Sequence, residues 1–397
     1  MATFSVRFLG CKVSYADAQA LRERLLADGH AESEEGAEVA VVNTCCVTHE
    51  AVSKSRQAVS RAARTHRRVY VTGCAARLPG AFERVAPNVT VVARPSEETP
   101  AAVAGDVGAI GCVQAEARLE RTRAFVKIQD GCSFSCAFCV IPLVRGPTRS
   151  RRAEAVLAEV RKRAAQGHRE IVLTGVNLGC FRDREAGYGL PRLLREAGAV
   201  PGVERLRLSS IEVNHLTPEL VAALRETPTA ARHLHVPLQS GDDRILHAMR
   251  RRYSAAQYLA KLEPLTDFNL TTDVIVGFPG EDERAFRRTL EVVERAGITG
   301  VHVFPYSPRP GTATAGEDPV PAEVKRERSA RLRALSARLA RRRWRAKLGT
   351  VERVLVDRPG RGYAEDYTPW LLDAPVGELV PARAVALAEE GILAVAA

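Results

Sequence analysis

The chain has 397 residues, 46% hydrophobic and 26% charged, with a formal net charge of +11 at pH 7. That length and balance predict two or three globular domains with real cores, and exclude a low-complexity or disordered chain. No stretch reaches the roughly 20 apolar residues of a membrane span, and the opening MATFSVRFLGCKV lacks the apolar run and cleavage site of a secretory signal, so the expected compartment is the cytoplasm. The basic balance favours phosphate partners, since neutralising phosphates releases counterions, although many basic proteins bind no nucleic acid. In a reducing compartment, the nine cysteines point to metal binding or catalysis rather than disulfides.

The predicted elements begin with an alternation of strands and helices over residues 1–118. FSVRFLG (4–10) reads as a strand and YADAQALRERLLADG (15–29) as a helix ending on Gly29. VAVVNT (39–44) is a second strand, followed by a helix to about Arg64; RRVYVTG (67–73) is a third and NVTVVAR (88–94) a fourth. A βαβα series of this kind predicts a mostly parallel sheet with helices on both faces.

The pattern repeats six times within residues 119–348. The strands are AFVKIQ (124–129), EIVLTG (170–175), RLRLSS (205–210), HLHVPL (233–238), TTDVIVG (271–277) and GVHVFP (300–305). Six units predict an incomplete (β/α)6 barrel, whose open side suits a bulky substrate. A basic helix over 322–347 closes this region, either as a solvated face with a Leu stripe on the barrel or as an RNA contact. Residues 349–397 hold strand-like runs, VERVLVD (351–357) and YTPWLLD (367–373), punctuated by Gly360 and Gly362, and predict a small β-barrel. The fold class is therefore α/β: a parallel-sheet domain, a partial barrel and a small C-terminal β-barrel.

Chemistry concentrates on cysteines. Cys132, Cys136 and Cys139 give the spacing CxxxCxxC just after a predicted strand. Three thiolates in one loop suit an iron–sulfur cluster with one iron left open. A zinc site would want a fourth ligand, and no Cys or His lies within ten residues on either side. Cys11, Cys45 and Cys74 each follow a predicted strand of the first domain. Parallel strands end along one sheet edge, so these three distant residues should converge; three buried structural cysteines are the alternative.

CxxxCxxC with Phe138 before the last Cys resembles the radical S-adenosylmethionine (SAM) signature. Together with the three-Cys N-terminal domain and the small C-terminal barrel, the whole chain resembles the radical SAM methylthiotransferases. The resemblance implies two 4Fe–4S clusters, S-adenosyl-L-methionine, and a C-terminal TRAM-like RNA-binding module. It implies Cys45 rather than its neighbour Cys46 as ligand, from the string VVNTCCVT, and places Phe138 beside the nucleoside of SAM. Cys112 and Cys180 match no ligand pattern. Gly175, Glu212 and Gln239 are candidate SAM contacts because each ends a barrel strand on the cluster side.

The strings LGCKV (9–13), KIQDGC (127–132), RGPTRSR (145–151), LTGVNLG (173–179) and VFPYSPRPGT (303–312) resemble the branch acting on N6-threonylcarbamoyladenosine beside the anticodon of tRNA. Ser14, where Asn is usual, and Cys180, where Ser or Asp is usual, depart from that branch without removing a cluster ligand. The isopentenyladenosine branch, the ribosomal-protein branch and a non-catalytic RNA-binding iron–sulfur protein are the competing expectations. Arg145, Arg149 and Arg151 follow the cysteine loop and are expected to hold phosphates or the threonyl carboxylate, or else to pair with local Asp and Glu. His233 and His235 alternate on a strand and read as buried, hydrogen-bonded histidines. GFPGE (277–281) carries glycines suited to a ligand's approach or simply to a turn. The implied partners are tRNA, an electron donor such as a flavodoxin or ferredoxin, and a sulfur donor that the sequence does not specify.

Overall fold

The computed structural model describes residues 3–83, 85–93, 102–105 and 122–397. They fall into two compact units: Met1–Arg118 with Val140–Pro147, and Leu119–Cys139 with Thr148–Ala397. Cys112 and the expected boundary at 118/119 lie outside the described residues.

The first unit is a four-stranded parallel sheet in the order β1 (Phe4–Phe8), β2 (Val39–Thr44), β3 (Arg68–Gly73), β4 (Val89–Val91). All six residues of β2 are buried, as a central parallel strand covered on both faces requires. Its alternation divides the core. Val39 and Val41 pack with Phe4, Leu21, Leu25 and Tyr70, on the side of α1 (Lys12–Ala27). Ala40 and Val42 pack with Ala58, Val59, Val69 and Val71, on the side of α2 (His49–Thr65). Thr48 caps α2 by accepting from the Ala51 N–H at 3.0 Å. A five-residue helix, α3 (Ile141–Arg145), belongs to the same unit, and Val140 and Val144 join the core that holds Cys46 and Cys74. The expected fourth strand is shorter than its apolar run, three residues rather than seven.

In the second unit, β5 (Arg123–Asp130), β7 (Glu170–Gly175) and β10 (Arg205–Leu208) pair in parallel, with β6 (Arg149–Ser150) antiparallel on the edge of β5. A hairpin of β8 (Arg182–Asp183) and β9 (Tyr188–Gly189) stands apart. A second parallel sheet holds β11 (His233–His235), β12 (Asn269–Val276) and β13 (Gly300–Pro305). Bridges from Leu206 to Ala230 and from Ser210 to His235 join the two sheets into a six-stranded parallel arc. Strand β11 stops before Pro237, whose missing N–H cannot continue a ladder. The intervening helices are α4 (Ala153–Ala165), α5 (Leu190–Gly198), α6 (Pro218–Glu226), α7 (Asp243–Ala248), α8 (Ala255–Leu262) and α9 (Glu283–Arg295). The basic helix is α10 (Ala322–Ala346). It covers the edge strand β13: Ser336 Oγ accepts from the Val301 N–H at 3.1 Å and donates to the Thr299 carbonyl at 3.2 Å, which blunts an exposed edge.

The C-terminal segment closes a five-stranded barrel in the order β14 (Val351–Arg358), β15 (Arg361–Tyr363), β16 (Pro369–Leu371), β18 (Ile392–Ala396), β17 (Leu379–Leu387). Trp370 fills its centre with Val354, Val356, Leu372 and Ile392. The starts of the arc's strands hold this barrel through charge. Glu170, buried, meets Arg207 at 2.8 Å, Arg205 at 3.1 Å and Arg123 at 3.2 Å. Arg205 donates to the carbonyls of Tyr363 and Arg353, and Arg207 to that of Glu365. Tyr367 stacks between His233 and Tyr363, with the Arg123 guanidinium over both tyrosines. Burial works to raise the Glu170 pKa, but Arg207, Arg123 and Arg205 together overcome it and hold the carboxyl below its ordinary range.

Removing one partner of a buried ion cluster costs about 3–5 kcal/mol. Glu170→Ala should therefore lower stability by that order, read by urea unfolding. Because the folded pKa is depressed, the advantage of the native chain over Glu170→Gln is full above the ordinary value of 4.5 and is lost as pH falls below it. A stability gap that does not change on acidification would contradict this account.

Candidate cofactor sites at the strand ends

In the first unit, parallel register places the ends of β1, β2 and β3 together, with Phe8 opposite Asn43 and Thr44 opposite Gly73. Cys11, Cys45 and Cys74 come directly after these ends. Cys11 is the N-cap of α1. Ser55 on α2 grips Cys45 from both sides, accepting from its N–H at 3.2 Å and donating to its carbonyl at 3.3 Å. Cys74 donates its N–H to the Thr44 carbonyl at 3.0 Å. The three thiols feel one another: Cys11 and Cys74 both act on the charge state of Cys45. Burial pushes the Cys45 thiol up to about 11. Cys74 behaves oppositely. A hydrogen bond with Cys46 is the largest influence; it outweighs burial and, with Arg145, brings Cys74 down to about 6. Cys46 itself lies wholly in the core.

Space is kept for the sulfurs. Gly10 has φ +126°, and a Cβ there would stand 3.2 Å from Cys45 Sγ and 3.1 Å from its Cβ. The Oδ1 of Asn43, buried at the end of β2, has no hydrogen-bond partner. A set of three thiols, a cradle that a side chain would fill, and an orphaned polar atom at the strand ends all fit a sulfur-rich group. Among the described residues, no three His, Cys, Asp or Glu side chains are already gathered in metal-holding geometry.

In the second unit, the cysteine loop leaves β5, and Gln129, Asp130, Asn177 and Arg251, which the sequence did not single out, help to hold it. Gln129, buried, donates to the carbonyls of Asp130 and Gly131 at 2.7 Å each, while its Oε1 accepts the Asn177 N–H at 2.8 Å. Gly175 is where β7 must pass this side chain, since a Cβ there would lie 3.0 Å from Gln129 Oε1. Asp130 accepts from the Gly131 N–H at 2.8 Å. Asn177 Nδ2 lies 3.7 Å from Cys132 Sγ, and its Oδ1 is buried without a partner. Arg251 donates to Cys136 Sγ at 3.3 Å, to Glu212 at 3.1 Å and to the Tyr253 hydroxyl at 3.1 Å. Cys139 donates its N–H to the Cys136 carbonyl at 3.1 Å. Here too the donors are thiols, and an unsatisfied amide oxygen waits beside them. Both Gln129 and Asn177 fall within the motif strings KIQDGC and LTGVNLG, so order within the motif was the available signal; Arg251 carried none.

Phe138 packs edge-on against Phe278. Glu212 N-caps a short 3-10 turn and, through burial opposed by Arg251, has a raised pKa. Gln239 has φ +66°, a left-handed conformation uncommon for a side-chain-bearing residue and a form of strain that gathers at functional sites. Cys180 contacts His215 at 3.4 Å, and burial, followed by the neighbouring Cys132, raises its pKa.

The three arginines have different fates. Arg145 is turned inward: its Nε donates to Cys74 Sγ at 3.0 Å and its Nη2 to Asp17 at 2.9 Å, leaving the side chain 8% exposed. Its carboxylate partner is Asp17, so Arg145 takes the ion-pair alternative rather than the phosphate one, although with a residue distant in sequence. Arg151 binds Glu159 at 2.6 Å and the Lys127 carbonyl at 2.7 Å, the local pairing that was its alternative. Arg149 is exposed on β6, opposite Asp130. His233 and His235 both meet Thr271 Oγ1, at 3.1 and 3.0 Å. Gly277 has φ +76°, and the Lys325 stem occupies the space a Cβ there would need.

Comparison with known proteins adds the following. A family model described as the radical SAM superfamily matches residues 126–293, and one described as uncharacterized protein family UPF0004 matches residues 3–93. A Bacillus subtilis protein named threonylcarbamoyladenosine tRNA methylthiotransferase MtaB is 38% identical over 86% of this chain and 82% of its own length. A Chlamydia pneumoniae protein of the same name is 33% identical over 98% and 97%. A Sorangium cellulosum protein named tRNA-2-methylthio-N(6)-dimethylallyladenosine synthase is 36% identical over 90% and 82%. Among solved structures, the radical SAM methyltransferase TsrM from Kitasatospora setae, with cobalamin and a 4Fe–4S cluster bound, superposes with a TM-score of 0.59 at 15% identity, covering 79% of this chain and 77% of its own. That similarity is one of fold.

The Gly10 cradle makes a direct prediction. Gly10→Ala forces a Cβ toward Cys45 in a backbone conformation that alanine rarely adopts. It should cost about 1–3 kcal/mol, measured as a fall in thermal stability of the metal-free protein. An unchanged midpoint would mean that the strand end relaxes freely.

Proposed function

This chain belongs to the radical SAM methylthiotransferase family, and we propose that it inserts a methylthio group at carbon 2 of N6-threonylcarbamoyladenosine next to the anticodon of tRNA. Enzymes of this family are transferases that use two 4Fe–4S clusters and S-adenosyl-L-methionine. The observation that carries the reading is the presence of two separate thiol triads, each at the C-terminal ends of parallel strands, one in each unit. The choice of substrate is supported by the threonylcarbamoyladenosine names of the relatives from B. subtilis and C. pneumoniae and by the strings from LGCKV to VFPYSPRPGT. The dimethylallyladenosine branch is the second reading, supported by the S. cellulosum relative at comparable identity.

In this reading Cys11, Cys45 and Cys74 hold one cluster, and Cys132, Cys136 and Cys139 hold the other. When bound, the clusters and SAM supply one-electron cleavage of SAM and radical activation of an unreactive carbon, chemistry that side chains cannot perform alone. The chain's own part is to hold and orient. Gln129 and Asp130 fix the start of the cysteine loop through its carbonyls and N–H groups. Arg251 ties Cys136 to Glu212 and Tyr253. Phe138, Gly175, Glu212 and Gln239 are the positions proposed to line the SAM nucleoside and its amino-acid portion. A base in an anticodon loop is single-stranded and can be splayed out into such a site. Arg149 and the exposed Arg341, Arg342 and Arg345 at the end of α10 are proposed to meet RNA phosphates. The reading also implies a cytoplasmic enzyme served by a one-electron donor of flavodoxin or ferredoxin type. No described helix is long and apolar enough to cross a membrane.

Three outcomes are expected. Mass spectrometry of tRNA nucleosides from a strain lacking the gene should show the 2-methylthio form of threonylcarbamoyladenosine replaced by its precursor; persistence of that form, with loss of the dimethylallyl counterpart, would select the second reading. Anaerobically reconstituted protein should hold about eight irons as two 4Fe–4S clusters, and changing Cys132, Cys136 and Cys139 together to Ala should remove about half; complete loss would show that the first triad binds no cluster. Affinity for tRNA should fall steeply with salt, with each lost phosphate contact lowering the slope by about 0.7–0.9. If changing Arg341, Arg342 and Arg345 to Ala leaves the slope unaltered, that end of α10 does not touch RNA.

A further inference from the structure

We propose that Arg145 is a positioning residue for the Cys74 sulfur and sets the reduction potential of the cluster held by Cys11, Cys45 and Cys74. The inference rests on the ligand assignment above and concerns a residue outside both cysteine triads. Its guanidinium is buried, with Nε 3.0 Å from Cys74 Sγ and Nη2 2.9 Å from Asp17. Asp17 lies on α1, the helix that Cys11 caps. One side chain therefore ties the third thiol to the helix that starts at the first. The backbone beneath it is equally fixed. Arg145 ends α3, and Val140 and Val144 on either side of the helix start are buried in the core that contains Val42, Cys46 and Cys74. In chain order this segment begins directly after Cys139.

The physical consequence follows from charge. Reduction adds one electron, and so one negative charge, to a cluster and its thiolates. An N–H donated to a ligand sulfur, together with a buried positive charge beside it, favours that more negative state and raises the potential. Asp17 offsets part of the guanidinium charge but keeps its N–H aimed at the sulfur. A residue needed only for packing would have no such effect on the electron equilibrium.

The test uses full-length, anaerobically reconstituted protein in which Cys132, Cys136 and Cys139 are Ala, so that the remaining cluster is seen alone in a redox titration followed by electron paramagnetic resonance. Arg145→Gln should shift the one-electron equilibrium against reduction by about tenfold or more, a fall of about 59 mV or more in midpoint. Arg145→Lys keeps the positive charge and should recover most of that shift. In the complementary background, with Cys11, Cys45 and Cys74 as Ala, Arg145→Gln should leave the midpoint of the other cluster unmoved. A fully loaded Arg145→Gln protein with an unshifted midpoint overturns the proposal and leaves the cluster assignment standing. Equal shifts in both backgrounds, or failure of both Arg145 variants to load iron where the Arg145 protein does, overturn it by making Arg145 a general folding residue. Absence of any cluster in the Cys132/Cys136/Cys139 background with Arg145 intact overturns the assignment and the proposal together.

Discussion

Parallel strand pairing is the constraint on which the rest of this molecule depends. In a parallel ladder the C-terminal ends of neighbouring strands lie side by side, so whatever follows each strand is delivered to one edge. Register sets Phe8 beside Asn43 and Thr44 beside Gly73 in the first unit, and Gln129 beside Gly175 in the second. Residues more than sixty positions apart in the first unit, such as Cys11 and Cys74, are thereby brought near Cys45, while the second unit keeps its thiols in a single loop at the end of β5. One set of cysteines is brought to a shared sheet edge by topology, the other is kept together by sequence spacing.

Buried arginines recur wherever these edges need to be held. Three surround Glu170 at the starts of the arc's strands, one donates to Cys136 and one to Cys74. Arg can do this because its charge is permanent and its planar fork reaches several acceptors at once. Part of the chain's strong positive balance is thus internal and structural, and that part cannot be counted toward nucleic-acid binding. The remaining charge includes the exposed Arg341, Arg342 and Arg345 that end α10.

The elements and their type were largely legible. Short apolar runs marked β1, β2, β3 and the six strands of the arc, and Leu spacing marked α10. What escaped were the two-residue strands β6, β8 and β9, too short to carry a pattern, and β15, β17 and β18 of the small barrel, which the ladder of the closed barrel defines. Among the site residues, the cysteines stood out because their chemistry and spacing are rare. Gln129, Asn177 and Arg251 did not, because an amide or a guanidinium is functional only through the groups it touches. For Arg145 the sequence left phosphate contact and acid pairing open, and only the packing of α3 against the core shows the partner to be Asp17.

By itself the sequence determined the chemistry that is available: six cysteines in two patterns, glycines and small residues at strand ends, and an order of strands and helices that leaves parallel sheets as the economical solution. These are local properties, carried by residue type and spacing, and they survive without knowledge of what lies nearby in space. Only the tertiary structure decided which side chains face those sulfurs, that Cys46 belongs to the core and hydrogen-bonds Cys74 while Cys45 stands beside Gly10, and that Arg145 is spent inside the protein. Such choices depend on register, helix rotation and burial, which are set by the packing of the whole chain and leave no mark on the residues that obey them.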